Sequence, residues 1–205
     1  MPVPVLRHGP LTLRALRRRD ASAWVQTRLD NEEWLVRWEA LPPDQPFVPW
    51  ADRHTTAGFL HLLRTQRSAG RAGTSIPFGI FLDDEFCGQV NVGNVVRGAF
   101  NSAYLGYWVS HSVAGRGVMP TAVALVADHC FRSAGLHRLE ANIRPENTAS
   151  VRVVEKCGFA TEGLRRRYLA IDGDYRDHVG YVLLSEDLPG GVMSGLVADG
   201  AALRI

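Results

Sequence analysis

Residues 106–130, GYWVSHSVAGRGVMPTAVALVADHC, carry three signals in direct succession. Apolar and polar residues alternate through GYWVSH, the pattern of a half-buried strand. Gly115 and Gly117 then mark a tight turn, and a helical pattern begins at once. Pro120 falls in the first helical turn, where it gives up only an N–H that has no partner inside the helix. A strand, a glycine turn and a helix in this order converge backbone N–H groups on the positive end of the helix. That point favours an anion, and a pyrophosphate is the natural guest. Two familiar phosphate motifs fail on spacing. No lysine follows Gly117, as a P-loop requires, and Pro120 stands where a dinucleotide fingerprint needs its third glycine.

Outward from this stretch the period of the pattern changes twice. Upstream, SIPFGIFLDDEFCGQVNVGNVVRG reads as two strands turning at Asp83 and Asp84, and residues 55–69 read as a helix ended by Gly70 and Gly73. The chain opens with a short strand at LTLR and a helix N-capped by Asp20. A second helical piece carries Trp34, Leu35 and Trp38, and the proline-rich loop LPPDQPFVPW follows it. Downstream, the helix from Met119 is expected to bury Ala122, Val126 and Cys130 along one stripe with Leu125 and to stop at Gly135. HRLEANIR is a strand, NTASVRVVEKCG a helix capped by Asn147, and two further strands meet at the turn DGDY. The result is one mixed α/β (α+β) domain over residues 10–187, with a central sheet of about seven strands flanked by helices. Residues 188–205 contain four glycines and little periodicity, and are expected to form a loosely ordered tail.

Composition narrows the functional classes. With 205 residues the chain is long enough for one full core, and a formal charge of +2 gives no electrostatic basis for direct nucleic-acid binding. No apolar run reaches the length of a membrane span, and MPVPVLRHGP lacks the pattern of a secretory leader, so a cytoplasmic location is expected. Cys87, Cys130 and Cys157 are scattered and odd in number, which fits buried free thiols. The seven histidines show no metal-ligand spacing, so no metal is expected.

Four stretches together resemble the GNAT acetyltransferase superfamily, and within it the ribosomal-protein-alanine N-acetyltransferases of RimJ/RimL type. They are GYWVSHSVAGRGVMPTAV, RLEANIRPENTASVRVVEKCGFATEG, DGDYRDHVGYVLL and LRALRRRDASAWVQTRLDNEEWLVRWE. The resemblance implies the acyl-CoA N-acyltransferase fold, with acetyl-CoA as the cofactor. Its pyrophosphate would sit on backbone amides of Gly115, Arg116, Gly117, Val118 and Met119. Its pantetheine arm would lie between two splayed strands, near Trp108, Val109, Asn142, Asn147 and Ser150. The family loop usually reads [QR]-x-x-G-x-[GA], whereas this chain has Ala114 at the first place and Met119 at the last. The N–H near Val109 is the oxyanion donor that this alignment offers.

The catalytic positions depart further. Many family members place a thiolate-protonating tyrosine where this chain has Val154, while RimL-like members use a serine that matches Ser150. The glutamates usually named as general base correspond to Leu169 and Tyr104. Tyr168, Asp174, Tyr175, Asp177, His178 and Glu140 are the proton acceptors left in reach, with Ser150 and Tyr168 the leading catalytic candidates. An α-amine with a pKa of about 7.7–8.0 is roughly a third neutral near pH 7.5, against about 0.1% for lysine. A site without a strong base therefore favours an N-terminus. The acceptor side would be formed by Trp34, Trp38, Phe47, Trp50 and the acidic residues Glu32, Glu33 and Glu39. The implied reaction is direct acetyl transfer in a ternary complex to a protein N-terminus, with a ribosomal protein as the family's target. A small-molecule amine, or a non-catalytic acyl-CoA-binding role, is the alternative. The expected assembly is a monomer or homodimer.

Overall fold

The structure is a computed structural model that describes residues 3–41 and 48–203; Phe47 of the expected acceptor wall lies outside them. The alternating segments form one sheet of eight strands: β1 (Leu6–His8), β2 (Leu11–Arg14), β3 (Ile76–Leu82), β4 (Glu85–Val96), β5 (Ser102–Val109), β6 (Arg138–Ile143), β7 (Ala160–Ile171) and β8 (Asp174–Leu184). Their spatial order is β1-β2-β3-β4-β5-β6-β8-β7. Every pairing is antiparallel except β5 with β6. The eighth strand, beyond the seven read from sequence, is β1. It has three residues, too few to register as alternation.

Helices α1 (Ala21–Leu29) and α4 (Thr56–Ala72) cover one face of the sheet's middle, with α2 (Glu32–Leu35) and α3 (Trp50–Arg53) between them in the chain. Helices α5 (Val118–Arg132), α6 (Thr148–Lys156) and α7 (Val192–Ala198) cover the other. On the α5 side Leu11, Leu13, Phe78, Ile80, Val90, Val92, Leu139 and Leu183 are wholly buried. Truncating one of these leucines to alanine would cost about 2–5 kcal/mol. Under α1 and α4 a second cluster joins Leu16, Trp24, Phe59, Leu63, Phe81 and Phe86.

Three local expectations change. Asp20 does precede α1, but its carboxylate does not cap it; it takes both guanidinium nitrogens of Arg14 at 2.8 and 2.9 Å and the N–H of Arg17 at 2.7 Å. Helix α4 runs through Gly70 and ends at Gly73, whose left-handed φ of 73° closes it. Helix α5 is buried on more than one stripe, from Val118 through Ala124, while Leu125 is only partly covered.

The tail is the largest correction. Its residues form α7, which packs on α5 with Val192 and Leu196 buried. The carboxylate of Asp128 caps it, accepting from Val192 N–H at 2.8 Å and Met193 N–H at 3.1 Å. Further on, Leu203 N–H donates to Thr121 Oγ1 at 2.8 Å. A helix whose cap comes from another element gives no local signal.

Candidate active site

The site begins where β5 and β6 part. Their parallel pairing covers only Ser102–Tyr104 against Arg138–Glu140, and beyond it the strands diverge. Between them opens a cleft of about 820 Å³, walled by β5 from Leu105 to Trp108, β6 from Ala141 to Ile143, and α1, α4 and α6. Gly106 stands on its wall, and a Cβ there would meet nothing within 4 Å, so the cleft passes directly along bare backbone.

Strand alternation divides the groups around the cleft between the two faces of the sheet. Leu105 and Tyr107 face the α5–α6 side, as do Leu139, Ala141, Tyr181 and Leu183. Gly106, Trp108, Asn142 and His178 therefore face the α1–α4 side. Ser110 N–H donates to Cys87 O at 2.7 Å, which makes that a hydrogen-bonded pair in the β4–β5 ladder. By the antiparallel alternation, Val109, Tyr107 and Leu105 then aim their N–H groups away from β4 and towards the gap.

On the α6 side, Asn147 Oδ1 accepts from Ser150 N–H at 3.1 Å and caps the helix. The Ser150 hydroxyl is thereby left out of capping, and it donates to Tyr107 Oη at 2.9 Å. That phenol donates in turn to the Ser150 carbonyl at 3.1 Å. Burial drives the Tyr107 pKa upwards, so the phenol stays protonated. Tyr107 is the functional candidate that the sequence reading missed. Its signal was present, a tyrosine one residue after a strand glycine. Val154, where the family tyrosine would stand, is wholly buried in the core.

On the opposite side, His178 is 2% exposed and its Nδ1 lies 3.0 Å from Arg176 O, which fixes the proton on Nδ1. Burial lowers its pKa, so the ring is neutral at pH 7 with an accepting Nε2. Asn142 Nδ2 donates to Glu140 Oε1 at 2.8 Å and to Tyr168 Oη at 3.3 Å. Asn142 Oδ1 is buried without a protein partner, an acceptor waiting for an N–H such as the pantetheine amides carry. Residues 39–41 roof this side by pairing with the end of β7, where Leu41 N–H reaches Ala170 O and Asp172 N–H reaches Glu39 O.

In the loop before α5, Gly115 and Gly117 adopt left-handed φ of 78° and 82°, and the N-cap residue is Gly117, which has no side chain to cap the helix. Arg116 is exposed. Val118 and Met119 point into the core, so the unusual methionine leaves the backbone amides clear.

Other expected residues fall elsewhere. Trp38 lines the cleft, whereas Trp34 anchors the end of β5 through Nε1 to Val109 O at 3.0 Å and lies outside the walls. Trp50 is buried behind the cleft, with Nε1 donating to Arg28 O at 2.9 Å. Glu32 and Glu33 are exposed and outside the cleft. Tyr168 is 43% exposed and touches the site only through Asn142 and the edge of His178. Glu140 is a poor base. Burial raises its pKa, but bonds from Arg165, Asn142 and Arg138 outweigh this and hold it near 2. Asp174, Tyr175 and Asp177 lie around the β7–β8 hairpin and away from the cleft, as does Tyr104. Leu169 lines the cleft but has no atom that accepts a proton. The three cysteines are free and buried, with pKa values pushed by burial to about 12, and none lines the cleft.

This geometry agrees with what the chain is similar to. A family model for the acetyltransferase (GNAT) domain matches residues 10–160. The Escherichia coli [ribosomal protein uS5]-alanine N-acetyltransferase is 32% identical over 86% of this chain and 89% of its own length. Bacillus subtilis YjcK, named as an N-acetyltransferase, is 30% identical over 89% of this chain and 98% of its own. The solved structure of Mycobacterium smegmatis RimJ in complex with CoA-disulfide is 41% identical, with a TM-score of 0.91 over 99% of this chain and 96% of that one. A sheet parted between β5 and β6, a glycine turn aimed at the head of α5 and these relatives agree: the chain belongs to the GNAT acetyltransferase family, on its RimJ/RimL-type branch, and is an N-acetyltransferase.

Proposed function

We propose that this N-acetyltransferase moves the acetyl group of acetyl-CoA to the α-amine of a protein N-terminus in the cytoplasm. A ribosomal protein is the acceptor class that the relatives' names indicate. One observation carries the reading: the gap between β5 and β6 has a hydroxyl pair, Ser150 and Tyr107, on one face and a neutral imidazole, His178, on the other.

The donor contributes an activated thioester held in that gap. Backbone amides from Gly115 to Met119 hold its pyrophosphate, and Asn142 Oδ1 accepts from its pantetheine arm. The Val109 N–H, aimed into the gap, stabilises negative charge on the carbonyl oxygen. His178 Nε2 takes a proton from the amine arriving on the α1–α4 side. On the opposite side the Ser150 hydroxyl turns from Tyr107 Oη, gives its proton to the departing sulfur and is reprotonated from solvent, while His178 returns its proton to solvent. With the thiols buried and outside the cleft, attack is direct and no acetyl-cysteine forms.

The test uses two peptides with acetyl-CoA, following thiol release and peptide mass. One has a free N-terminal alanine and no lysine; the other has a blocked N-terminus and one internal lysine. Acetylation of the first alone is expected. Modification of the lysine peptide alone would overturn the α-amine reading.

A further inference from the structure

Among the described residues, the α1–α3 end of the cleft holds more positive charge than its own carboxylate balances. Arg28 is 5% exposed and faces three indoles, its guanidinium carbon 4.6 Å from the Trp50 ring centre, 4.9 Å from Trp108 and 5.9 Å from Trp24. Its Nη2 donates to Glu39 Oε2 at 2.6 Å and lies 2.8 Å from His54 Nε2. Arg53 stacks on the same indole, 5.3 Å from the Trp50 ring centre, and also lines the cleft. The two guanidinium groups thus share one tryptophan. Their mutual repulsion is one of the influences lowering the Arg28 pKa, after burial.

Among the described residues Glu39 is the one carboxylate that pairs with either arginine. His54 adds no counter-charge, since its Nδ1 is bound to Trp50 O at 2.8 Å and its ring is neutral. Among the described residues, the Nε atoms of both Arg28 and Arg53 are buried without a hydrogen-bond partner. A buried guanidinium with idle donors is destabilising unless an anion completes it. Both arginines line the cleft, so this charge borders a cavity open to the acceptor.

We propose that this end of the cleft is a subsite for an anionic group on the acceptor, a carboxylate carried by an Asp or Glu among the first residues after the acetylated amine. The proposal rests on the α-amine reading above and deepens it. The amine lies towards His178 and Asn142, and the peptide runs across Gly106 and Trp108. Its acidic side chain meets Arg28 and Arg53 beside Trp50 and accepts charge-assisted bonds from their guanidinium groups.

Two measurements test it. The first compares lysine-free peptides with N-terminal alanine that differ by Asp or Asn at the second, third or fourth position. One Asp peptide is expected to exceed its Asn partner by about tenfold in kcat/KM, as a charge-assisted bond predicts. That ratio should collapse towards one in Arg53→Gln and recover in part in Arg53→Lys. Equal rates for all pairs would sink the subsite and leave the α-amine reading intact. The second measurement works even if no peptide is acetylated, an outcome that removes the α-amine reading. The holoprotein, saturated with CoA to occupy the pyrophosphate loop, is titrated with succinate and with inorganic phosphate while tryptophan emission is followed. A saturable change with succinate that Arg53→Gln abolishes supports a carboxylate subsite. A response to phosphate alone overturns the carboxylate assignment, and no response to either overturns the site.

Discussion

Ser150 and Tyr107 are joined twice: the serine hydroxyl donates to the phenol oxygen at 2.9 Å, and the phenol donates to the serine carbonyl at 3.1 Å. The phenol proton is thus committed to the helix backbone, and burial keeps it there. The serine's proton is held by the phenol oxygen, and it reaches the cleft when the hydroxyl rotates away from Tyr107. Ser150→Ala should lower kcat by about a hundredfold, the low end for losing a general acid when the leaving group is a good one. KM for acetyl-CoA should change little. Tyr107→Phe keeps the packing and removes only the partner that orients the hydroxyl, so its loss should be smaller. Because the two act as one unit, the double variant should be no worse than Ser150→Ala. Additive losses in steady-state kinetics would show that they work independently.

His178 adds a second step to the acid limb of the pH profile. An amine of pKa about 7.7–8.0 makes kcat/KM rise with unit slope up to about pH 8. His178 accepts a proton only when neutral, and burial lowers its pKa below the ordinary 6.5. It therefore remains competent throughout the neutral range, and a second unit of slope appears only below pH 6.5. His178→Gln should lose about 100-fold in kcat/KM and show a single slope. If the wild-type slope stays at one to the lowest pH at which circular dichroism is unchanged, His178 is not the base.

The residues legible in the sequence were those whose role is local. Asn147 and Ser150 stand three apart at a helix start, Gly115 and Gly117 need left-handed backbone, and Asp83 and Asp84 turn a hairpin at φ of 50° and 63°. Each follows from a short stretch of chain. What escaped depends on partners far away. Tyr107 meets Ser150 across 43 residues, and Asp128 caps α7 across 64. Glu39 looked like a carboxylate for a cationic amine until folding placed Arg28 against it at 2.6 Å. Glu140, next to the cleft in sequence terms, is consumed by two arginines.

Gly117 carries two constraints at once. Its φ of 82° disfavours any side chain, and a Cβ there would lie 2.9 Å from Leu203 N and 3.0 Å from the Ala202 carbonyl. Backbone atoms cannot rotate aside. Gly117→Ala should therefore lose about 1–2 kcal/mol from the left-handed conformation alone, and more from displacing the tail. KM for acetyl-CoA should rise with it, since the same turn presents the amides. Removing residues 199–205 takes away the atoms that the new methyl meets. In that background Gly117→Ala should cost measurably less, read as a smaller shift of the urea midpoint. An equal cost in both backgrounds would mean that the backbone conformation alone matters.

His54 makes stability depend on pH in a defined window. Its Nδ1–H is held by Trp50 O at 2.8 Å, so a second proton would have to sit on Nε2, facing the Arg28 guanidinium at 2.8 Å. Burial first, and Arg28 next, bring its pKa down to about 4. Between pH 6.5 and about 4 the unfolded chain binds a proton here that the folded protein refuses. Stability is therefore full above pH 6.5 and falls as the pH drops through that window, by up to about 3 kcal/mol. His54→Asn keeps a donor near Trp50 O and removes the titrating ring. The variant should be less stable at pH 7, where the bond to Arg28 is lost, yet flatter between pH 6.5 and 4.5. His129 and His178 also titrate low, but both proteins share them, so the difference between the two urea-midpoint curves isolates His54. Parallel curves would place the acid sensitivity elsewhere.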